Sequence, residues 1–297
     1  MEARFANRGY NAGARTCLRP GMTPSTPESA PVALVDVHAH LTHPRLLESI
    51  DAVIARARAA GVSHIVSNGL NPEDNERVLA LAERFDCVRP ALGFYPVDTV
   101  ITDMRAAGAH YPREGREFTA EEGVSWLEQH VERAFAVGEI GLDGYWVPEP
   151  FWEKQEAVFR KLVRLALEAD KPIIVHTRKR ERRTLEILDE LGARRVDWHC
   201  FGGKVSLARQ IAERPGHYLS IPANARRSES FTRMLQTLPR DRLLLETDCP
   251  YLSPDKERSS EPADVAGTAR YAAELWNVSE AEVTRIVAEN FATLFRL

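Results

Sequence analysis

The amino-acid sequence predicts an α/β protein built as a parallel (β/α)8 TIM barrel. Short apolar runs alternate with stretches of helical period eight times between residues 32 and 297, as expected for a chain of strand–helix units. The short apolar runs suit parallel strands that are covered on both faces. Histidines and carboxylates stand at the ends of five of these runs, and a closed ring of strands brings such scattered ends to one centre. A doubly wound open sheet is the alternative fold.

Each predicted strand is a short apolar run, and several of them end in a polar residue. The first closes on Asp36-Val37-His38-Ala39-His40, the fourth on Gly138-Glu139 and the fifth on Val175-His176. Because the carboxyl ends of parallel barrel strands share one rim, these polar residues are expected to lie together. In chain order, strands are expected at 32–35, 62–67, 87–93, 136–139, 172–176, 195–199, 218–221 and 243–247.

The stretches between the strands repeat apolar residues every three or four positions, which is the period of a helix with one buried face. Gly61 follows the first stretch in the usual C-terminal position. Asn71 and Pro72 begin the second, as a cap and a first-turn proline. In chain order, helices are expected at 45–60, 71–85, 126–135, 151–169, 182–191, 205–214, 228–238, 263–276 and 280–295.

Two segments do not follow the alternation. Residues 1–31 hold Asn, Gly, Arg and Pro with almost no apolar periodicity, so we expect a disordered N-terminal extension, with Met22 as an alternative start. Residues 98–123 combine glycine, proline and mixed charges without a strong period. We expect an insertion or loop there on the top face of the barrel, where binding loops lie. One barrel domain is therefore expected over residues 32–297.

Composition excludes several classes of protein. The net charge is −4, so the chain has no overall basic field, and contact with nucleic acid would need a local basic patch. The four cysteines form no CxxC pair, which indicates reduced thiols in a cytoplasmic protein. No apolar run approaches the roughly 18–20 residues that cross a bilayer, so no membrane contact is expected.

The strand-end residues form a pattern typical of metal sites. His38 and His40 are two positions apart, so they share one face of a strand and could bind one divalent ion. A pair of hydrogen-bonded strand-end histidines is the alternative. The remaining strand ends add Glu139, His176, His199 and Asp248. Four imidazoles and two carboxylates at one spot match a two-metal hydrolytic site, and we expect Glu139 to bridge the ions because strand four lies between the two histidine sets.

Several motifs carry a family resemblance. DVHAH, GEIGLD, PIIVHTR, HCF and ETDCPYLSP occur in this order within residues 34–297, and together they resemble the TatD family of metal-dependent hydrolases. The resemblance implies an amidohydrolase-like barrel and a divalent-metal-dependent deoxyribonuclease, often a 3′ exonuclease. Its substrate is expected to be DNA that is single-stranded or has a 3′ end.

The resemblance also implies a ligand set for two divalent ions, which could be Mg²⁺, Mn²⁺ or Zn²⁺. By the family pattern His38, His40, Glu139 and Asp248 hold one ion, and Glu139, His176 and His199 hold the other. The sequence departs from that pattern at Gly93-Phe94-Tyr95-Pro96, where the family usually has histidine in place of Tyr95. The insertion that follows is also longer than usual, so substrate choice is less well determined than the metal site.

We expect a metal-activated water to attack a phosphodiester, with Asp248 holding a metal and accepting the water's proton. Asp36 and Glu246 lie two residues before ligands on the same strand faces, so they are expected to orient ligand imidazoles. Buried ion-pair residues in the barrel floor are the alternative for both. Arg178 is expected to grip a phosphate, and Tyr95 to donate a hydrogen bond to one.

Aromatic residues near the predicted site have two possible roles. They could stack on exposed bases, or they could only pack in their loops. The candidates are Tyr95, Tyr145, Trp146, Phe201 and Tyr251.

Two other functions compete with the nuclease. The first is amide or ester hydrolysis, including release of amino acids from transfer RNA, but the carboxylated lysine that often bridges metals in that chemistry has no candidate near Glu139. The second is a catalytically silent metal-binding protein. The presence of all six candidate ligands argues against it. No obligate protein partner is evident from the sequence.

Overall fold

The barrel is described in a computed structural model that covers residues 33–109, 111–112 and 117–297. In this part of the chain eight strands form one sheet whose spatial order follows the chain, and neighbouring strands are parallel. The predicted barrel is thereby confirmed, since an open doubly wound sheet reverses its strand order at a switch point. The strands are β1 (Leu34–Ala39), β2 (Val62–Asn68), β3 (Val88–Leu92), β4 (Ala136–Asp143), β5 (Ile173–Arg178), β6 (Val196–Trp198), β7 (His217–Ile221) and β8 (Leu243–Leu245).

Helices link the strands and cover the outside of the sheet. Helix caps follow local sequence, as where the Asn71 side chain accepts a hydrogen bond from the Asp74 backbone N–H. The described helices are α1 (Pro44–Leu47), α2 (Ile50–Ala59), α3 (Pro72–Arg84), α4 (Ile101–Ala106), α5 (Ala120–His130), α6 (Trp152–Glu168), α7 (Glu181–Leu191), α8 (Val205–Ala212), α9 (Glu229–Thr237), α10 (Val265–Trp276) and α11 (Glu280–Phe295). None of them is long and apolar enough to cross a membrane.

The core fills the space between the sheet and the helices. Every residue of β4 and β8 is buried, as expected for parallel strands covered on both faces. Large apolar side chains such as Trp198, Phe159 and Leu142 are fully buried. This close packing fixes the strand ends, and therefore the side chains that project from them.

The segment 98–123 is partly helical where it is described. The predicted helix 126–135 begins six residues earlier, at Ala120, and ends at His130. Thr119 and Glu122 start it with a capping box, a local signal that outweighs the weak apolar period. Helix α4 precedes it, and Met104 packs in a small apolar cluster that includes Val147 from the loop after β4. That the segment is an insertion stays a prediction, and the predicted extension 1–31 lies outside the described residues.

The first and last strands meet at the carboxyl end of the barrel. The His40 backbone N–H donates to the carbonyl of Cys249 at 2.8 Å, and that of Asp248 donates to the carbonyl of His38 at 2.9 Å. Asp36 adds a side-chain link, because it accepts hydrogen bonds from the backbone N–H and the hydroxyl of Thr247. These bonds close the seam between β1 and β8 next to the predicted ligands.

Candidate metal centre

Three candidate ligands converge at the end of β1. The Nε2 atoms of His38 and His40 are 3.2 Å apart. Glu139 Oε2, from β4, is 3.1 Å from the first nitrogen and 3.5 Å from the second. Donor atoms of the three residues all lie within 4.8 Å of one another, close enough to bind one ion.

Asp248 joins this group from the opposite side of the seam. Its Oδ1 lies 3.3 Å from His40 Nε2 and 3.7 Å from His38 Nε2. The residue has a φ of +53°, a left-handed conformation that aspartate adopts more readily than most residues. The backbone hydrogen bond to His38 fixes Asp248 in this position, so its carboxylate stays against the two imidazoles.

The second group of candidate ligands lies on the other side of Glu139. Glu139 Oε1 is 3.5 Å from His176 Nδ1, and donor atoms of Glu139, His176 and His199 also lie within 4.8 Å of one another. The ring of His199 stacks on that of His38 with centroids 3.7 Å apart. The two oxygens of Glu139 therefore face different histidines, which is the arrangement of a bridging carboxylate.

The donor set fits divalent metal ions. Two imidazole Nε2 atoms at 3.2 Å leave room for at most one hydrogen between them, while a cation accepts both lone pairs. Within the described residues, Glu139 Oε2 and the Nδ1 atoms of His38 and His199 are buried without a hydrogen-bond partner. Buried polar atoms are rarely left unsatisfied, and a bound cation would satisfy the carboxylate oxygen.

The charges of the centre also favour a cation. Burial acts to raise the pKa of Glu139, but the His38 imidazole, 3.1 Å from Oε2, and the charges of the other histidines hold it well below its ordinary value. The pKa of Asp248 is lowered as well, since its bond to His40 and the charges of the histidines outweigh burial. Burial, together with repulsion from His199, lowers the pKa of His38. An ionised pair of carboxylates beside a neutral imidazole is suited to binding a metal.

Glu246 lies behind His199. Its Oε2 accepts a hydrogen bond from the Ser220 hydroxyl at 2.6 Å and is 3.6 Å from His199 Nδ1. Burial acts to lower the pKa of His199, but Glu246, Glu139 and Asp248 together raise it to about 10. This position is compatible with the predicted role of orienting an imidazole. Glu246 also lies within ligand distance of His38 and His199, so the geometry allows direct coordination too.

Asp36 differs from its predicted role. Its hydrogen bonds go to Thr247 and to the backbone N–H of His38, at 2.7 to 3.3 Å. These contacts hold the main chain of β1 and the residues after β8. They do not orient an imidazole ring, as had been expected for Asp36. Because two of these bonds go to Thr247, the residue acts on the seam of the barrel, and burial raises the pKa of its carboxyl well above the ordinary value.

Asp143 is a site residue that the sequence reasoning missed. Its Oδ2 lies 3.2 Å from His176 Nε2, and its Oδ1 accepts the backbone N–H groups of Tyr145 and Trp146 at 2.8 and 2.7 Å. The bond to His176 Nε2 leaves Nδ1, the atom that faces Glu139, available for a metal. Strand periodicity could have found this residue, because Glu139 and Asp143 are four positions apart and share a face.

A glycine permits the close approach of two strands at this point. Gly141 in β4 lies opposite His176 in β5. It has a φ of +155°, and a Cβ there would lie 1.8 Å from the carbonyl oxygen of His176. A side chain at this position would therefore displace a candidate ligand.

The two predicted substrate-binding residues lie on the rim of the centre. The Tyr95 hydroxyl donates to Asp143 Oδ2 at 3.4 Å, and the ring packs against His176 with centroids 5.1 Å apart. Burial raises the pKa of this hydroxyl, so it stays protonated. Arg178 is exposed, and its guanidinium lies 3.7 Å over the ring of Tyr145.

Arg180, at the start of α7, is buried. It pairs with Glu156 and stacks on Trp152. This pairing makes Arg180 part of the packing beneath the rim rather than a free positive charge near the substrate.

Comparison with known proteins decides the family. The model of the TatD related DNase family matches residues 35–296. The chain belongs to the TatD family. The resemblance, the barrel fold and the class of hydrolase predicted from the sequence are confirmed, and the TatD motifs coincide with the strand ends described above.

Relatives match over nearly their full length. The chain is 34% identical over 273 residues to the metal-dependent hydrolase YabD of Bacillus subtilis, covering 89% of this chain and 99% of the relative. It is 31% identical over 274 residues to the deoxyribonuclease TATDN3 of Homo sapiens, covering 90% and 96%. The solved structure of the TatD homologue YjjV of Escherichia coli matches with a TM-score of 0.75 at 26% identity, covering 89% of this chain and 98% of that one.

Proposed function

We propose that this TatD protein hydrolyses phosphodiester bonds in DNA with the help of two divalent metal ions. The observation that carries the proposal is the position of Glu139, whose two oxygens face His38 and His40 on one side and His176 on the other. The relative named deoxyribonuclease TATDN3 supports DNA as the substrate. Mg²⁺, Mn²⁺ and Zn²⁺ are the candidate ions.

The ligands divide into two sets that share Glu139. His38, His40, Glu139 and Asp248 would hold one ion, and Glu139, His176 and His199 would hold the other. When bound, two such ions lower the pKa of a coordinated water and neutralise charge on the phosphate. Asp143 would keep the proton of His176 on Nε2, so that Nδ1 remains a ligand atom.

Asp248 is the residue we assign as general base. Its side chain is 13% exposed, against 2% for Glu139, so of the two carboxylates it is the one that water and substrate can reach. Its lowered pKa keeps it ionised at neutral pH. An ionised, accessible carboxylate beside the metal positions can accept a proton from the attacking water.

Arg178 and Tyr95 are the residues we assign to the substrate. The guanidinium of Arg178 lies over the Tyr145 ring, and the residue is exposed to solvent, so its N–H groups can bind a phosphate. Tyr95 supplies a protonated hydroxyl next to His176. We propose attack at the 3′ end of a single strand, as a 3′ exonuclease. We further propose a cytoplasmic location, which the free thiols of Cys87, Cys200 and Cys249 support.

Digestion of end-labelled single-stranded DNA tests the proposal. The wild-type protein is incubated with Mg²⁺, Mn²⁺, Zn²⁺ or EDTA beside Asp248→Asn, with Asp86→Asn as a control because Asp86 is an exposed carboxylate paired with Arg58 on the surface. We expect stepwise shortening from the 3′ end with a metal, none with EDTA, a loss of at least 100-fold in Asp248→Asn and no change in Asp86→Asn. Absence of digestion with every metal would contradict the nuclease assignment.

The other functions considered from the sequence receive no comparable support. Relatives named for an activity are hydrolases and deoxyribonucleases. Amide or ester hydrolysis and catalytically silent metal binding are therefore not favoured.

A further inference from the structure

Large apolar side chains that are exposed to solvent concentrate near the metal centre. Five such side chains are exposed within the described residues, and three of them are aromatic residues on the rim. Tyr145 and Trp146 follow β4 directly, and Tyr251 follows the seam residues. The other two, Leu167 in α6 and Leu297, are aliphatic. Exposed apolar side chains that are grouped in one region of a surface often mark a binding site.

Trp146 is held at a fixed place relative to the candidate ligand His176. The same carboxylate, Asp143, accepts the Trp146 backbone N–H at 2.7 Å and contacts His176 Nε2 at 3.2 Å. The rings of Tyr145 and Tyr111 contact the indole edge to face, with centroids 4.9 and 5.3 Å away. Trp146 is thus packed against two rings while 38% of the residue stays exposed.

Tyr251 is held in a similar way at the other candidate metal position. Its backbone N–H donates to the carbonyl of Asp248 at 2.9 Å. The ring lies edge to face against His40 and His43, with centroids 6.2 and 5.6 Å away. The exposed ring therefore stands beside the ligand set of the first ion, as Trp146 stands beside that of the second.

Burial separates these rings from the other aromatic candidates. Phe201 is fully buried and packs against Trp198. Tyr95 is partly buried against His176. One face of Tyr145 is covered by the Arg178 guanidinium. Trp146 and Tyr251, by contrast, are exposed rings that stand beside the two candidate metal positions.

We propose that Trp146 and Tyr251 are base-stacking positions on either side of the metal centre. A strand of unpaired nucleotides would place its scissile phosphate at the ions and one base against each ring. Every base has a π face, so such sites accept any sequence. Bases inside a duplex have their faces covered by neighbours, so the two rings favour single strands and frayed ends. This inference rests on the proposed nuclease function and names the form of its substrate.

The test compares oligothymidylate with the same strand built from 5,6-dihydrothymidine. The reduced base keeps its hydrogen-bonding edge and the strand keeps its charge, but the non-planar ring stacks poorly. We expect wild-type kcat/KM to be at least tenfold higher on the planar strand. Trp146→Leu and Tyr251→Leu should each lose the part of this preference that comes from one stacked base.

Conservative variants and a surface control complete the design. Trp146→Phe and Tyr251→Phe keep a ring and should retain the preference, and Leu167→Ala should behave as wild type. If wild type degrades both strands equally, or if the leucine variants keep the full preference, the stacking inference is overturned and the nuclease function stands. If wild type degrades neither strand with any metal, the proposed function fails, and the inference fails with it.

Discussion

Replacing Asp143 by asparagine isolates the bond that this residue makes to His176. Asparagine is nearly isosteric, and its amide oxygen can still accept the backbone N–H groups of Tyr145 and Trp146. Its amide nitrogen would face His176 Nε2 and the Tyr95 hydroxyl, where Asp143 now presents an acceptor. Two donors then meet, so the imidazole is driven to the tautomer that carries its proton on Nδ1, the proposed ligand atom.

The size of the effect follows from the bond that is lost. Burial acts to raise the pKa of Asp143, but the bond to His176 and the neighbouring N–H groups lower it, so the carboxylate is ionised. A hydrogen bond to a charged acceptor contributes about 1.5–3 kcal/mol. Loss of a bond that orients a metal-binding histidine costs roughly 10- to 100-fold in metal affinity or activity. We expect the affinity for the second ion to fall by this factor, while the first ion binds as before.

Metal titration by calorimetry, with kcat/KM measured on single-stranded DNA, checks this expectation. Wild type should bind two ions, and Asp143→Asn should retain one tight site and one weakened site. Tyr95→Phe serves as the control, since its hydroxyl lies as far as 3.4 Å from the same oxygen and its loss should change metal affinity less than about threefold. Two sites of wild-type affinity in Asp143→Asn would refute the proposed role of the aspartate.

Three further predictions concern stability. Gly141→Ala should lose roughly 2–5 kcal/mol of unfolding free energy in urea titrations, because its Cβ would meet the His176 carbonyl. Gly267→Ala is the control: a Cβ added there would meet nothing within 4 Å, so this variant should not be destabilised. EDTA should lower the melting temperature, since ions at 100 times their Kd contribute about 2.7 kcal/mol per site; an unchanged melting temperature would argue against metal binding. Burial lowers the pKa of His217, so the stabilising contribution of the neutral ring is present above about pH 6.5 and is lost as the pH falls through the lowered value. His217→Gln should therefore flatten the dependence of unfolding free energy on pH in this range. Identical pH dependence in wild type and variant would contradict this.

The barrel and most of the candidate ligands could be predicted because both follow from periodicity. Apolar runs separated by helices specify parallel strands, and residues at their carboxyl ends must meet on one rim. His38, His40 and His199 stand at the ends of predicted strands, so their convergence needed no knowledge of tertiary contacts. The same reasoning stopped too early in β4, where glycines and Glu139 interrupt the apolar run while the strand continues to Asp143.

Other features depend on contacts that no local pattern encodes. The partners of Asp36 come from residues that follow β8, so its role is set by how the barrel closes. The start of α5 was encoded locally, in Thr119 and Glu122, but the apolar period there is weak and the capping signal was not used. Trp146 is exposed and Phe201 is buried. Both residues are aromatic and both follow a strand, so this difference is a property of the packed loops.

The closed seam has a consequence for when the protein can act. The bond between Asp36 and Thr247 joins residues 211 positions apart, and the candidate ligands of the first ion come from both sides of that junction. A chain still emerging from the ribosome has His38 and His40 long before it has Asp248. Such a chain lacks both Asp248, the proposed general base, and the seam that holds it. We therefore expect chains that end before Asp248 to be inactive, and activity to require that the residues after β8 have been synthesised and have paired with β1.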